Sequence, residues 1–148
     1  MTDTITFEAV AHINNSPEEV MNYISDVRNR PLFISALKSI DNIEGDPAGE
    51  GATWTWQWLS LGMVFEGTAR CTKKEAGRLY SFESEGGIKS AWTYTAQAKD
   101  GGTELKVHVD WEMPESFLSR LPTDDALAKL RDTEVESAIA NLKIVLDK

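Results

Sequence analysis

The sequence predicts an α+β fold in which a seven-stranded antiparallel sheet packs round one long C-terminal helix. Two observations carry this prediction. Over residues 123–146, apolar side chains recur at the spacing of one helix face. Before residue 113, segments of alternating polar and apolar residues are separated by turns rich in glycine, a pattern typical of strands joined by hairpins. A chain of 148 residues is long enough for one domain with a substantial core, so we treat residues 1–148 as a single domain.

The first predicted strand covers residues 4–13, where apolar and polar residues alternate. A helix should begin directly after Ser16, whose hydroxyl can cap it while Glu19 reaches back to the cap. Pro31 interrupts the apolar stripe of this helix, so we expect a second short helix around residues 32–36.

Six further strands follow, and most of their connections are short enough to be hairpins. They are predicted over residues 37–44, 52–61, 63–74, 78–84, 88–99 and 103–113. Pro114 ends the last strand, and a helical turn is expected over residues 116–121. Thr123 can cap the final helix. Its predicted apolar face contains Leu127, Ala128, Arg131, Val135, Ala138, Ile139, Leu142, Val145 and Leu146.

Three local sequences support a family resemblance: Ser16-Pro17-Glu18-Glu19-Val20 after the first strand, Gly101-Gly102-Thr103-Glu104-Leu105 before the last, and Asn141-Leu142-Lys143 near the end. With this order of elements, the chain resembles the Bet v 1-like or START-like (SRPBCC) superfamily, in particular its polyketide cyclase/dehydrase and lipid transport group. The resemblance covers essentially the whole chain. It implies a helix-grip fold, in which a strongly curved sheet grips the last helix and a ligand cavity lies between them.

Strand alternation also sorts residues between the two faces of the sheet. Trp54, Trp56 and Trp58 share one face, and because each buried Trp removes about 150–250 Å² from water, that face should point inward. The same test, extended to the helices, gives a set of candidate ligand-binding residues. They are Phe33, Trp54, Trp56, Trp58, Phe65, Tyr80, Phe82, Trp92, Tyr94, Val109, Trp111, Arg131, Val135 and Ile139.

The inward-facing aromatic residues have two interpretations. They could simply fill the core, or they could line a pocket. Several carry a polar group that needs a hydrogen-bond partner when buried, which a plain core of Leu, Ile and Phe would avoid. An apolar pocket with a few polar groups is the usual form of a small-molecule site, and flat aromatic or polyprenyl-like guests would suit it.

Arg131 lies within the apolar face of the final helix, and it also has two interpretations. Its stem could run along apolar surface so that the guanidinium reaches water. Alternatively, the guanidinium could point into the cavity mouth and hold a carboxylate or enolate of the ligand.

The sequence shows no nucleotide-binding, zinc or triad pattern, so we expect no cofactor and no metal. His12 and His108 fall on the outer faces of their strands, and Cys71, the single cysteine, is expected to be buried and unreactive. We also expect no carboxylate or histidine on the inner face to act as a general base. The net charge of −9 is unfavourable for binding nucleic acid.

The start of the chain does not resemble a signal peptide, and no apolar segment approaches the length needed to cross a membrane, so a cytoplasmic location without membrane insertion is expected. A protein partner is neither indicated nor excluded. The favoured function is binding or transport of a small hydrophobic molecule in an internal cavity. One alternative is an enzyme resembling polyketide cyclases or dehydratases, with Arg131, Tyr94, Tyr80 and Ser84 as candidate groups. Another is a protein-interaction module of the same fold.

Overall fold

The computed structural model describes residues 3–121 and 123–148, with the side chains of residues 3 and 124 left out. Its strands are β1 (Asp3–Ile13), β2 (Leu37–Glu44), β3 (Thr53–Ser60), β4 (Met63–Glu75), β5 (Leu79–Gly86), β6 (Lys89–Lys99) and β7 (Gly102–Met113). Its helices are α1 (Pro17–Ser25), α2 (Arg30–Phe33), α3 (Glu115–Leu118) and α4 (Asp124–Leu146), with a 3₁₀ turn at Val27–Asn29.

All seven strands belong to one antiparallel sheet with the order β1-β7-β6-β5-β4-β3-β2. The first strand therefore pairs with the last, in unbroken register from Asp3 opposite Met113 to Ile13 opposite Thr103. The strand β2 forms the other edge, where its pairing with β3 shifts at two points. These shifts are bulges, which bend and twist a sheet. The predicted α+β fold with a seven-stranded antiparallel sheet and a long final helix is confirmed.

Two local predictions at the short helices are wrong. The second short helix covers Arg30–Phe33 rather than residues 32–36, because proline is tolerated in a first helical turn, where its missing N–H is not needed. At α1, the Ser16 hydroxyl accepts from the backbone N–H of Glu19 at 3.2 Å, as predicted. The Ser16 N–H, however, donates to the Asn15 side chain at 2.8 Å and not to Glu19.

The two faces of the sheet agree with strand alternation. Trp54 and Trp56 are only 3% and 6% exposed. On the outer face, Nδ1 of His108 lies 3.0 Å from Glu8 of the neighbouring strand. This hydrogen bond is the main reason why the pKa of His108 is raised.

The helix α4 is held at one side of the sheet rather than pressed flat against its centre. Its backbone packs chiefly against α2 and β1. Two hydrogen bonds join it to the α2 region: the Ser35 and Ser137 hydroxyls are 3.2 Å apart, and the Asn141 amide donates to the Phe33 carbonyl at 3.2 Å. A space therefore remains between α4 and the middle strands. No helix in the described part of the chain is long and apolar enough to cross a membrane.

Candidate ligand cavity

The space between the sheet and α4 forms two adjoining compartments. The main compartment, of about 60 Å³, lies between strands β2–β7 and the helices α2, α3 and α4. The second compartment, of about 50 Å³, lies nearer β1 and the second half of α4. The two compartments share a wall, which we call the partition. It consists of Ile34, Trp58, Trp92, Trp111 and Glu134.

Most of the candidate residues from the sequence line one or both compartments. The main compartment takes Trp54, Trp56, Trp58, Phe82, Trp92, Trp111 and Arg131. The second compartment takes Phe33, Trp58, Trp92, Tyr94, Trp111, Val135 and Ile139. Phe65, Tyr80 and Val109 line neither compartment; they are buried in the surrounding core. Phe65 still supports the main compartment from outside, because its ring packs edge-on against Phe117, which lines that compartment, with centroids 5.7 Å apart.

Trp92 is the centre of the aromatic wall. Its ring stacks on Phe82 with centroids 5.6 Å apart and on Tyr94 at 6.3 Å. Trp111 meets it edge-on at 6.0 Å and meets Trp58 in the same way at 6.2 Å. Stacked and edge-on pairs are the preferred arrangements of aromatic rings. The rings therefore form a continuous surface that suits a flat apolar guest.

A chain of hydrogen bonds runs along this wall. The indole N–H of Trp92 donates to the Ser90 hydroxyl at 2.9 Å, and the Ser90 and Ser84 hydroxyls are 2.5 Å apart. The Ser84 hydroxyl donates to the Ile88 carbonyl at 3.1 Å. One direction of donation satisfies every donor: Trp92 to Ser90, Ser90 to Ser84, and Ser84 to Ile88. Since neither hydroxyl donates to a general base in this arrangement, neither serine is an activated nucleophile.

Arg30 is a cavity residue that the sequence analysis missed. It is 2% exposed, and its Nη2 donates to the Ile24 carbonyl at 3.1 Å. Its Nε and Nη1 have no hydrogen-bond partner among the described residues. Its guanidinium lies over aromatic rings, with centroid distances of 4.3 Å to Phe82, 5.1 Å to Tyr80 and 5.7 Å to Trp54.

The three ring contacts offset much of the cost of burying this charge, since a desolvated cation–π contact contributes about 2 kcal/mol and taking an ion out of water costs several kcal/mol. They supply no hydrogen-bond acceptor to Nε and Nη1. The sequence did hold a signal: Arg30 stands three residues from both Val27 and Phe33, which are buried on the same side of this helical segment.

Glu134 is the second missed residue, and it overturns the expectation that the inner face carries no carboxylate. Its side chain lies in the partition between the compartments. Burial is the main reason why its pKa rises to about 7, and the nearby Ser60 hydroxyl partly opposes that rise. A carboxyl group that titrates near neutral pH can exchange protons with a bound molecule.

The orientation of α4 explains this error. Its inward face is rotated toward Leu130, Glu134 and Ala138, so that Val145, predicted to lie on the apolar face, is 53% exposed. The repeat Leu130, Glu134, Ala138, Leu142 at intervals of four residues was the signal available in the sequence.

Arg131 lies at the rim of the main compartment. Its Nε and Nη2 are 3.2 and 3.1 Å from Oδ1 of Asp132, and 30% of its side chain is exposed. This geometry favours the interpretation in which the guanidinium reaches water. Among the described residues, neither histidine lines the cavity, and no group of three or more His, Cys, Asp or Glu side chains could hold a metal ion.

Comparison with known proteins agrees with this architecture. The family model described as polyketide cyclase / dehydrase and lipid transport matches residues 4–147. The chain belongs to this family. No curated protein matches this family member in sequence.

Solved structures of similar proteins have the same fold. The protein TTHA0849 from Thermus thermophilus superposes with a TM-score of 0.75 at 18% identity, covering 94% of each chain. The ZhuI aromatase/cyclase from Streptomyces sp. R1128 gives 0.71 at 10% identity, covering 95% of this chain and 92% of its own. Ara h 8.0201 superposes with a TM-score of 0.66 at 17% identity, covering 95% of this chain and 96% of its own. The fold is therefore the Bet v 1-like (SRPBCC) helix-grip fold, and identities this low establish the fold alone.

Proposed function

We propose that this protein binds a small hydrophobic molecule with a flat aromatic body in the cavity between the sheet and α4. The observation that carries the proposal is the wall of stacked and edge-on rings round Trp92. Apart from a few polar groups, the lining of both compartments is apolar, which is how small-molecule sites are usually built. The family's description includes lipid transport, which agrees with a carrier of hydrophobic molecules.

The volume of the cavity adds a structural requirement. Ligand pockets usually enclose about 300–1,000 Å³, whereas the two compartments have about 60 and 50 Å³. A guest of drug size therefore needs more space than either provides. In our proposal, binding moves the side chains of the partition and joins the two compartments. Of the two partly buried tryptophans there, Trp58 moves first, because Trp92 is held by its hydrogen bond to Ser90.

The proposal is tested by native mass spectrometry of the purified protein and by tryptophan fluorescence during titration with flat aromatic and long-chain apolar compounds. Saturable quenching is expected for the aromatic compounds. The variant Trp58→Leu should weaken binding about fivefold or more, since stacking on an indole is lost. Leu59→Ala is the matched control, because Leu59 is the next residue on the strand and is 38% exposed. Absence of both a bound species and a fluorescence response would overturn the proposal.

A second candidate function is acid–base catalysis on the bound molecule, and Glu134 is the observation that favours it. A group with a pKa of about 7 can take a proton from carbon and return it to a departing hydroxyl, so that water leaves. ZhuI is described as an aromatase/cyclase. Dehydration of a bound β-hydroxy ketone, measured by mass spectrometry and lost in Glu134→Gln, would support this function. Saturable binding without any conversion would leave binding or transport.

The alternative of a protein-interaction module gains no comparable observation from the cavity. The cytoplasmic location expected from the sequence stays a prediction.

A further inference from the structure

Some polar groups of the main compartment have hydrogen-bond partners, and others do not. The serine hydroxyls and the Trp92 indole satisfy one another in the hydrogen-bond chain described above. Arg30 is different, because the N–H groups of its Nε and Nη1 have no acceptor in the described part of the protein. A buried charge with free donors is costly, and natural proteins normally pair such groups.

No carboxylate of the described residues forms an ion pair with Arg30. The carboxylate of Asp26 does interact with its charge, but that carboxylate is already bonded to Arg28 at 2.6 Å. Glu134, which lines the same compartment, has a pKa of about 7 and so carries only part of a negative charge at neutral pH. The compartment therefore holds a cation without a full counter-charge.

The rings near Arg30 determine what kind of group could supply that charge. They lie 4.3–5.7 Å from the guanidinium carbon, and the acceptor that they offer is the Tyr80 hydroxyl, which interacts with both Arg30 and Cys71 but supplies no negative charge. A single cation in apolar surroundings is matched by one negative charge, since a second charge would be buried without compensation. Carboxylates are the planar acceptors that arginine pairs with best.

We propose that Arg30 is an anion-binding subsite of the cavity, and that the guest is an aromatic monocarboxylate whose rings lie among the indoles while its carboxylate meets the guanidinium. This inference rests on the proposed binding function. It assigns to Arg30 the role that the sequence analysis considered for Arg131, whose guanidinium is engaged by Asp132 at the surface.

The test compares two probes of nearly equal shape, 2-naphthoate and 2-naphthamide, by isothermal titration calorimetry. The wild-type protein should bind the carboxylate about tenfold or more tightly than the amide, as expected for charge-assisted hydrogen bonds. Arg30→Gln should abolish that preference while amide binding changes by less than about threefold. Arg30→Lys should retain part of it. Arg78→Gln is the matched control, since Arg78 lines neither compartment and its side chain is 78% exposed.

A second test of the anion subsite uses the wild-type protein, so it does not require that the Arg30 variants fold. At saturation, the Nε–Hε resonance of Arg30 should move strongly downfield with 2-naphthoate and clearly less with 2-naphthamide, whose neutral carbonyl is the weaker acceptor. Equal binding of both probes, or a preference that survives in Arg30→Gln, would overturn the anion subsite while leaving the proposed binding function intact. Failure of both probes to bind, together with no response to the wider panel of compounds, would overturn both.

Discussion

The indole of Trp56 occupies the space that a side chain on Gly67 would need. The two residues are direct partners across β3 and β4, and a Cβ atom on Gly67 would lie 2.6 Å from Cζ2 of Trp56 and would also collide with the Glu85 carbonyl oxygen. The indole N–H donates to the Thr68 carbonyl at 3.1 Å, which fixes the ring in this place. Gly67 therefore sets how closely a cavity ring approaches the sheet.

The first prediction concerns this contact. Gly67→Ala should destabilise the protein by about 2 kcal/mol or more, because both the backbone of β5 and the Trp56 ring would have to move. The matched control is Gly62→Ala in the β3–β4 turn, where no atom lies within 4 Å of the added Cβ. Its positive φ of 77° should cost only about 1 kcal/mol. Urea unfolding measures both, and equal costs would contradict the packing argument.

The second prediction concerns the hydrogen-bond chain. Ser90→Ala removes the acceptor of the Trp92 indole N–H and should lower the free energy of unfolding by about 1–3 kcal/mol, because a donor is left unsatisfied in the wall. Ser81→Ala is the control: Ser81 is half-buried on the neighbouring strand, where its hydroxyl bonds to Thr93 at 3.1 Å. It should cost well under half as much. A smaller effect for Ser90→Ala than for Ser81→Ala would show that the chain contributes little to stability.

The third prediction concerns the pH dependence of stability. Because burial raises the pKa of Glu134 from 4.5 to about 7, the folded state binds a proton more tightly than the unfolded state. The stabilisation is fully present below pH 4.5 and is lost as pH rises through 7. Over this window it amounts to about 2–3 kcal/mol, allowing for the exposed part of the side chain.

Urea unfolding at several pH values measures the slope of the free energy of unfolding against pH. Glu134→Gln should flatten it, whereas Glu136→Gln, on the exposed part of the same helix, should leave it unchanged. The raised pKa of His108 contributes a slope of the same sign, which both variants retain. A wild-type slope that persists in Glu134→Gln would refute the assignment to this residue.

The fourth prediction concerns Cys71. Its side chain is 1% exposed, and burial is the main reason why the pKa of its thiol is raised. Both effects lower the concentration of accessible thiolate. Reaction with a chromogenic disulfide reagent should therefore be slower by about a thousandfold or more in the native protein than in denaturant, because it requires opening of the structure. Rapid stoichiometric labelling of the native protein would contradict this prediction.

Strand alternation predicted the faces of the sheet because a pleated strand leaves each side chain only two directions. The three tryptophans of β3 are sufficient to orient that strand. The same logic works less well for α4, since a helix can rotate by tens of degrees while keeping Leu and Ala residues buried. That freedom is why Glu134 was missed.

Arg30 was missed for a different reason. Arginine is almost never fully buried unless it is paired, so a sequence gives no ground to place it inside without a visible partner. The division of the cavity into two compartments was also beyond prediction, because it depends on the rotamers of Trp58, Trp92 and Trp111 rather than on their strand positions.

The pairing of the first strand with the last has a consequence for biosynthesis. Among the seven strands, β1 leaves the ribosome first and its partner β7 leaves last, and the acceptors near Leu146 and Asp147, which bond to Asn15 and Asn14, follow β7. At about 5–20 residues per second, β1 waits several seconds with an unpaired edge. Folding dominated by such distant contacts is slow. The cavity is therefore completed only after synthesis of the final helix, and a nascent chain cannot take up a guest before then.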